Sequence, residues 1–127
     1  MQLKGKPFDM QREAQALIYE WARVFNTGRP TDLARFYTQD ARIVPPGRPT
    51  VVGVEAICTF FGDVLAQGFR DYAVEVADVF AKDASLVASG RWTLRGPGGG
   101  LQFYKGNWMN LLAQEDTGRL IAVHMWN

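Results

Sequence analysis

Tyr72-Ala73-Val74-Glu75-Val76-Ala77 alternates large apolar with small or charged residues, the two-residue period of a half-buried strand. Lys82-Asp83 marks a turn, and Ser85 to Arg95 follows as a second long strand. Gly96-Pro97-Gly98-Gly99-Gly100 has the composition of a hairpin loop. Leu101 to Gln114 makes a third strand, Glu115 to Gly118 another turn, and Arg119 to Trp126 the last strand. Everything after Gly68 therefore reads as an antiparallel meander. Both faces of the third strand are apolar, so one should meet helices and the other a partner subunit or a further layer.

The first half has the other period. From Asp9, Ala14, Leu17, Ile18, Trp21, Val24 and Phe25 recur at three- and four-residue spacing, as on one face of a helix. Asp9 is the expected cap and Gly28 the expected end. Thr31 should cap a short second helix through Tyr37, with Leu33, Phe36 and Tyr37 inward. Ala41 to Val44 reads as a short strand, which Pro45-Pro46-Gly47-Arg48-Pro49 cannot extend because proline lacks the ladder N–H. A third helix fits Val54 to Gln67, with Ile57, Phe60, Phe61, Val64 and Leu65 inward. The expected architecture is α+β, a cystatin-like cone in which three N-terminal helices pack on a strongly curved antiparallel sheet. Such a sheet tends to leave a concave apolar hollow. The whole chain, 1–127, is one domain, with residues 1–8 a loose N-terminal arm.

Composition narrows the function classes. With 127 residues, 47% apolar and 21% charged, the chain is that of an ordinary globule. Lys+Arg 14 against Asp+Glu 13 gives +1, without the basic run that tracks a phosphate backbone, so no nucleic-acid partner is expected. No stretch approaches a membrane span and no signal-peptide core is seen, so no membrane partner is expected either. One cysteine, Cys58, excludes an internal disulfide, and with a single histidine it excludes a Cys/His zinc site. These features point to a reduced, cytoplasmic compartment.

Phe36-Tyr37-Thr38-Gln39-Asp40-Ala41-Arg42-Ile43, Pro46-Gly47, and Val52-Gly53-Val54-Glu55-Ala56-Ile57 are followed by Gly90-Arg91-Trp92, Gly106-Asn107-Trp108 and His124-Met125-Trp126-Asn127. In this order the runs resemble the nuclear-transport-factor-two-like superfamily, most closely its SnoaL-like and ketosteroid-isomerase-like branch. The resemblance implies the cone fold, a pocket inside it, and a homodimer through the outer sheet face. It does not imply one reaction. The isomerase uses a carboxylate base, a tyrosine and a protonated aspartic acid. At the matching positions stand Pro45, Trp21 and Asn110, so that machinery is not retained. Tyr37 and Trp126 match pocket-lining aromatic positions.

His124, Asn110 and Tyr37 are the candidate catalytic residues. His124 is the sole histidine, with an ordinary pKa near neutrality, and alternation puts it on one face with Trp126. Asn110 can orient a carbonyl or simply bond its neighbours. Tyr37 can offer a phenol or fill the wall. Trp21, Leu17, Phe61, Trp108 and Trp126 are the candidate ligand wall, for a small apolar or aromatic ligand. Trp92 is expected in the core. Asp40 should bond local backbone N–H groups, Arg42 with Arg48 can either attract an anionic ligand to the mouth or simply stay solvated, and Cys58 has no evident base partner. Gly96 to Gly100 lacks the Lys-Ser/Thr of a phosphate loop. With no metal or nucleotide motif, no cofactor is expected. The reading is a small-molecule pocket protein, open between a cofactor-independent isomerase, lyase or hydrolase and a non-catalytic binding or dimerisation module.

Overall fold

The computed structural model describes residues 7–98 and 102–127. Helix α1 spans Pro7–Phe25. It starts two residues before the expected cap, because proline is at home in a first helical turn. Asp9 thus lies inside that turn, where its charge favours the helix N-terminus, and Pro7 and Phe8 are helical rather than part of an arm. Residues 1–6 lie outside the described residues. Ala14, Ile18, Trp21, Val24 and Phe25 are buried along one face, while Leu17 is half-buried. Gly28 adopts φ +83° and its N–H bonds Phe25 O at 3.1 Å, closing the turn.

A 3₁₀ helix follows at Pro30–Phe36, with Leu33 and Phe36 buried. Its cap position is Arg29, with no side-chain capping bond. Pro30 presets the first helical φ, so Thr31 sits within the helix instead of capping it. Tyr37 has extended geometry and belongs to strand β1, Tyr37–Val44, longer than the four residues expected. Strand β2, Val51–Val52, was too short to leave a periodic signal. Helix α2 covers Val54–Ala66, with Gln67 as its C-cap and Ile57, Cys58, Phe61 and Leu65 buried.

The remaining strands are β3 (Arg70–Lys82), β4 (Ser85–Arg95), β5 (Phe103–Glu115) and β6 (Gly118–Trp126). Leu101, Gly99 and Gly100, expected in the strand and its hairpin, lie outside the described residues. The sheet has six strands in the order β2-β1-β6-β5-β4-β3. It is not wholly antiparallel: β1 pairs with β6 in parallel. The chain between them passes through α2 and four strands, a crossover of the length that parallel pairing requires.

Curvature has local causes. The ladder slips between Val76 and Asp78 and between Leu111 and Leu112, and bulges of this kind bend and twist a strand. Two glycines lie opposite two tryptophans, Gly90 facing Trp108 and Gly106 facing Trp92. Trp108 Nε1 lies across β4 and donates to Glu75 O and Arg91 O, both at 3.2 Å. A Cβ at Gly90 would collide with Glu75 O and stand 3.0 Å from the Trp108 Nε1.

Inward residues of the strands, Val76, Leu86, Ala88, Leu112 and Ile121, form the core with the helices. On the outer face Met109 and Met125 pair across β5 and β6 and are 46% and 40% exposed. Among the described residues, no helix is long and apolar enough to cross a membrane.

Gly90→Ala is expected to lower stability by about 1–3 kcal/mol or more, the range for overpacking against structure that cannot yield. A urea unfolding midpoint unchanged from the wild type would show that β3 and β4 have room there.

Candidate functional site

Where the curved sheet diverges from the helices, a hollow of about 330 Å³ opens. Helix α1 contributes Trp21 and Phe25, and α2 contributes Phe60, Phe61 and Val64. His124 and Trp126 come from β6, on the inward side of its alternation. Tyr72, Trp92, Leu94 and Tyr104 line it from β3, β4 and β5, and Pro45, Pro46 and Arg48 from the segment after β1. Among the described residues Asp63, exposed, is the one carboxylate on this lining.

The imidazole of His124 sits among rings. Its centroid lies 4.9 Å from Trp126, 5.5 Å edge-on from Trp21 and 5.9 Å from Phe61. Behind it runs a buried polar chain. Trp21 Nε1 donates to Tyr37 Oη at 3.0 Å, and Tyr37 Oη lies 3.0 Å from His124 Nδ1. Indole is only a donor, so the tyrosine oxygen accepts from it and keeps its own single proton to give. With Nδ1 as the acceptor the phenol proton is satisfied, and the ring proton then sits on Nε2. Burial pulls the His124 pKa down to about 3, and it pushes the Tyr37 phenol well above its ordinary value. At neutral pH the imidazole and the phenol are both uncharged.

Of the residues expected at the site, the hollow brings together His124, Trp21, Phe61 and Trp126. Tyr37 is not on its lining but stands behind His124. Asn110 and Trp108 face a smaller chamber, and Trp108 spends its N–H on backbone carbonyls. Leu17 is half-buried on α1 and lines neither space. Trp92, expected in the core, is half-buried at the hollow and donates to Asn107 O at 3.3 Å, because glycine at 106 lets the indole lie flat over β5.

Tyr72, Leu94, Tyr104, Phe25 and Phe60 were not foreseen on the lining. For Tyr72 the signal was present in its inward alternation with Val74 and Val76, and for Phe25 and Phe60 in helical spacing. Periodicity gives a face; it does not distinguish a filled core from a hollow. Asp40 takes a hydrogen bond from Thr38 Oγ1 at 3.3 Å rather than from local N–H groups, since it lies in a strand whose N–H groups serve the ladder. Arg42 donates to Asp40 O at 3.0 Å and is absent from the lining, where Arg48 is present. Burial raises the Cys58 pKa, which disfavours the reactive thiolate. Among the described residues, no group of three or more His, Cys, Asp or Glu is placed to hold a metal ion.

Comparison with solved structures gives the same fold in distant relatives. A nuclear-transport-factor-two-like protein with a cystatin-like fold from Novosphingobium aromaticivorans superposes with a TM-score of 0.79 at 15% identity, over 94% of this chain and 81% of the other. A Catenulispora acidiphila protein, solved in complex with S-DNPA, gives 0.79 at 17% identity over 93% and 92%. A ketosteroid isomerase-like protein from Erwinia carotovora atroseptica gives 0.69 at 21% over 91% and 92%. No curated protein matches the chain. A family model described as a SnoaL-like domain matches residues 18–123, which take in every element from within α1 to within β6. The chain belongs to the SnoaL-like domain family.

Proposed function

We propose that this protein binds a flat, mostly apolar small molecule in the hollow, with His124 orienting it by a neutral hydrogen bond. The observation that carries the reading is an uncharged imidazole set among Trp21, Phe61 and Trp126 on the wall of a cavity of about 330 Å³. That size lies within the range of small-molecule sites. Taking roughly 100 Å² of ring surface out of water is worth about 2.5 kcal/mol, so the walls supply affinity and the imidazole supplies direction. Solved relatives of this fold include one holding S-DNPA, which supports a small-molecule ligand here.

A catalytic reading has one observation in its favour. A neutral imidazole that donates from Nε2 can polarise a ligand carbonyl without bringing charge into an apolar site. This role is not that of a general base, because a group with a pKa of about 3 holds a proton too weakly to take one at neutral pH. Tyr37 acts in this reading through His124, to which it is hydrogen-bonded. The chemistry would be cofactor-independent isomerisation, elimination or hydrolysis, with Asp63 the carboxylate available on the lining.

We further propose that the protein is a cytoplasmic homodimer joined through the outer sheet face. Met109, Met125, Leu111 and Val123 form paired apolar positions there, the kind of patch that a partner copy covers.

Three outcomes follow. Val64→Trp should fill the hollow and abolish saturable quenching of tryptophan fluorescence by a flat aromatic probe; quenching that persists unchanged would place binding elsewhere. Lowering the pH should destabilise the fold between about 6.5 and 3. There the unfolded chain takes up a proton on His124 that the folded chain refuses, so stability is complete above 6.5 and falls by about 1.4 kcal/mol per pH unit. His124→Gln should flatten that slope in urea titrations, and an identical slope would exclude His124 as its source. Met109→Asp should convert a sedimenting dimer to monomer at micromolar concentration; a wild-type monomer would refute the interface.

A further inference from the structure

A second and much smaller space adjoins the hollow. Trp21, Tyr72 and His124 wall both. The small chamber is completed by Ile18, Val74, Trp108 and Asn110. Its volume is about 10 Å³, close to the roughly 10–15 Å³ that one water molecule requires on this measure.

One polar group on its wall is unsatisfied. Asn110 is 3% exposed, and its Oδ1 is buried with no hydrogen-bond partner among the described residues. Buried amide oxygens in folded proteins are almost always paired. Asn110 lies directly opposite His124 across β5 and β6, so both side chains emerge on the same inward face. The other walls are apolar or aromatic, apart from the Tyr72 phenol, which burial keeps protonated by raising its pKa. A space of one heavy atom beside an unpaired acceptor suits one small donor, and the neutral surroundings disfavour a cation.

We propose that this chamber is a subsite for a single protic oxygen, a water or the hydroxyl of a ligand seated in the hollow, with Asn110 Oδ1 as its acceptor. The hydroxyl form rests on the ligand reading given above; the water form stands without it. In this role Asn110 receives a hydrogen bond, so the subsite selects an apolar molecule ending in O–H over the same shape ending in methyl.

The test uses p-cresol and p-xylene, which differ by hydroxyl for methyl, together with a high-resolution crystal structure of the free protein. Asn110→Leu removes the acceptor at similar volume. Ordered density within hydrogen-bond distance of Asn110 Oδ1 in the free protein, with one long-lived water lost from the relaxation dispersion of Asn110→Leu, supports the water form. A preference for p-cresol that falls about five- to tenfold in Asn110→Leu, the worth of one hydrogen bond, supports the hydroxyl form. A chamber empty of density with and without p-cresol, and a preference unchanged by Asn110→Leu, overturns the proposal. If neither probe binds, the ligand reading fails, and density in the free protein alone then decides, its presence supporting the subsite and its absence overturning it. That arm needs no variant, so it also decides if Asn110→Leu does not fold.

Discussion

The hydrogen-bonded chain from Trp21 through Tyr37 to His124 ties together α1, β1 and β6, elements that share no local sequence. Each member is buried, and a buried polar group left without its partner costs about 1–3 kcal/mol. The three side chains therefore constrain one another's position. The order of donors matters as much as the distances. Indole gives and never receives, so the tyrosine proton is satisfied when Nδ1 accepts it, and the ring proton of His124 then sits on Nε2. Burial keeps the chain uncharged. The site has direction without charge.

Much of the fold was legible because amphipathic periods record which face is buried. The bounds of β4 agree with its reading to the residue, and α2 differs only at its last position. Features that leave no period were missed. Two residues of β2 are too few to alternate, and nothing local distinguishes the parallel β1–β6 pair from an antiparallel one. The site was legible in part for the same reason. His124 and Trp126 share an inward face, and so do Tyr37 and Asn110, yet the former line the hollow while Tyr37 backs it and Asn110 serves the side chamber. Which inward residues meet space and which meet other side chains depends on how far the sheet bends, a property of the assembled strands.

Close strand approach at positions 90 and 106 depends on what is absent there. Without a Cβ, each backbone comes close to its neighbour, Glu75 in one case and Asn127 in the other, and each opposing indole lies across the gap. The two tryptophans cover backbone that glycine leaves bare while their N–H groups bond carbonyls. Trp108 is consumed by this task, and Trp92 retains one face toward the hollow. Identical residue pairs thus end in different roles because one lies deeper along the curved strand than the other.

The position of β6 has a bearing on how the molecule is made. It is the last strand in chain order, yet it lies between β1 and β5. During synthesis β3, β4 and β5 can zip as successive hairpins, while β1 and β2 wait on the far side of a gap. Until β6 is available to pair, β1 and β5 each present an open edge, the kind of template on which nascent chains pair wrongly. His124 travels on that segment, so the same event that joins the sheet also brings the imidazole into place, and a half-made chain has neither.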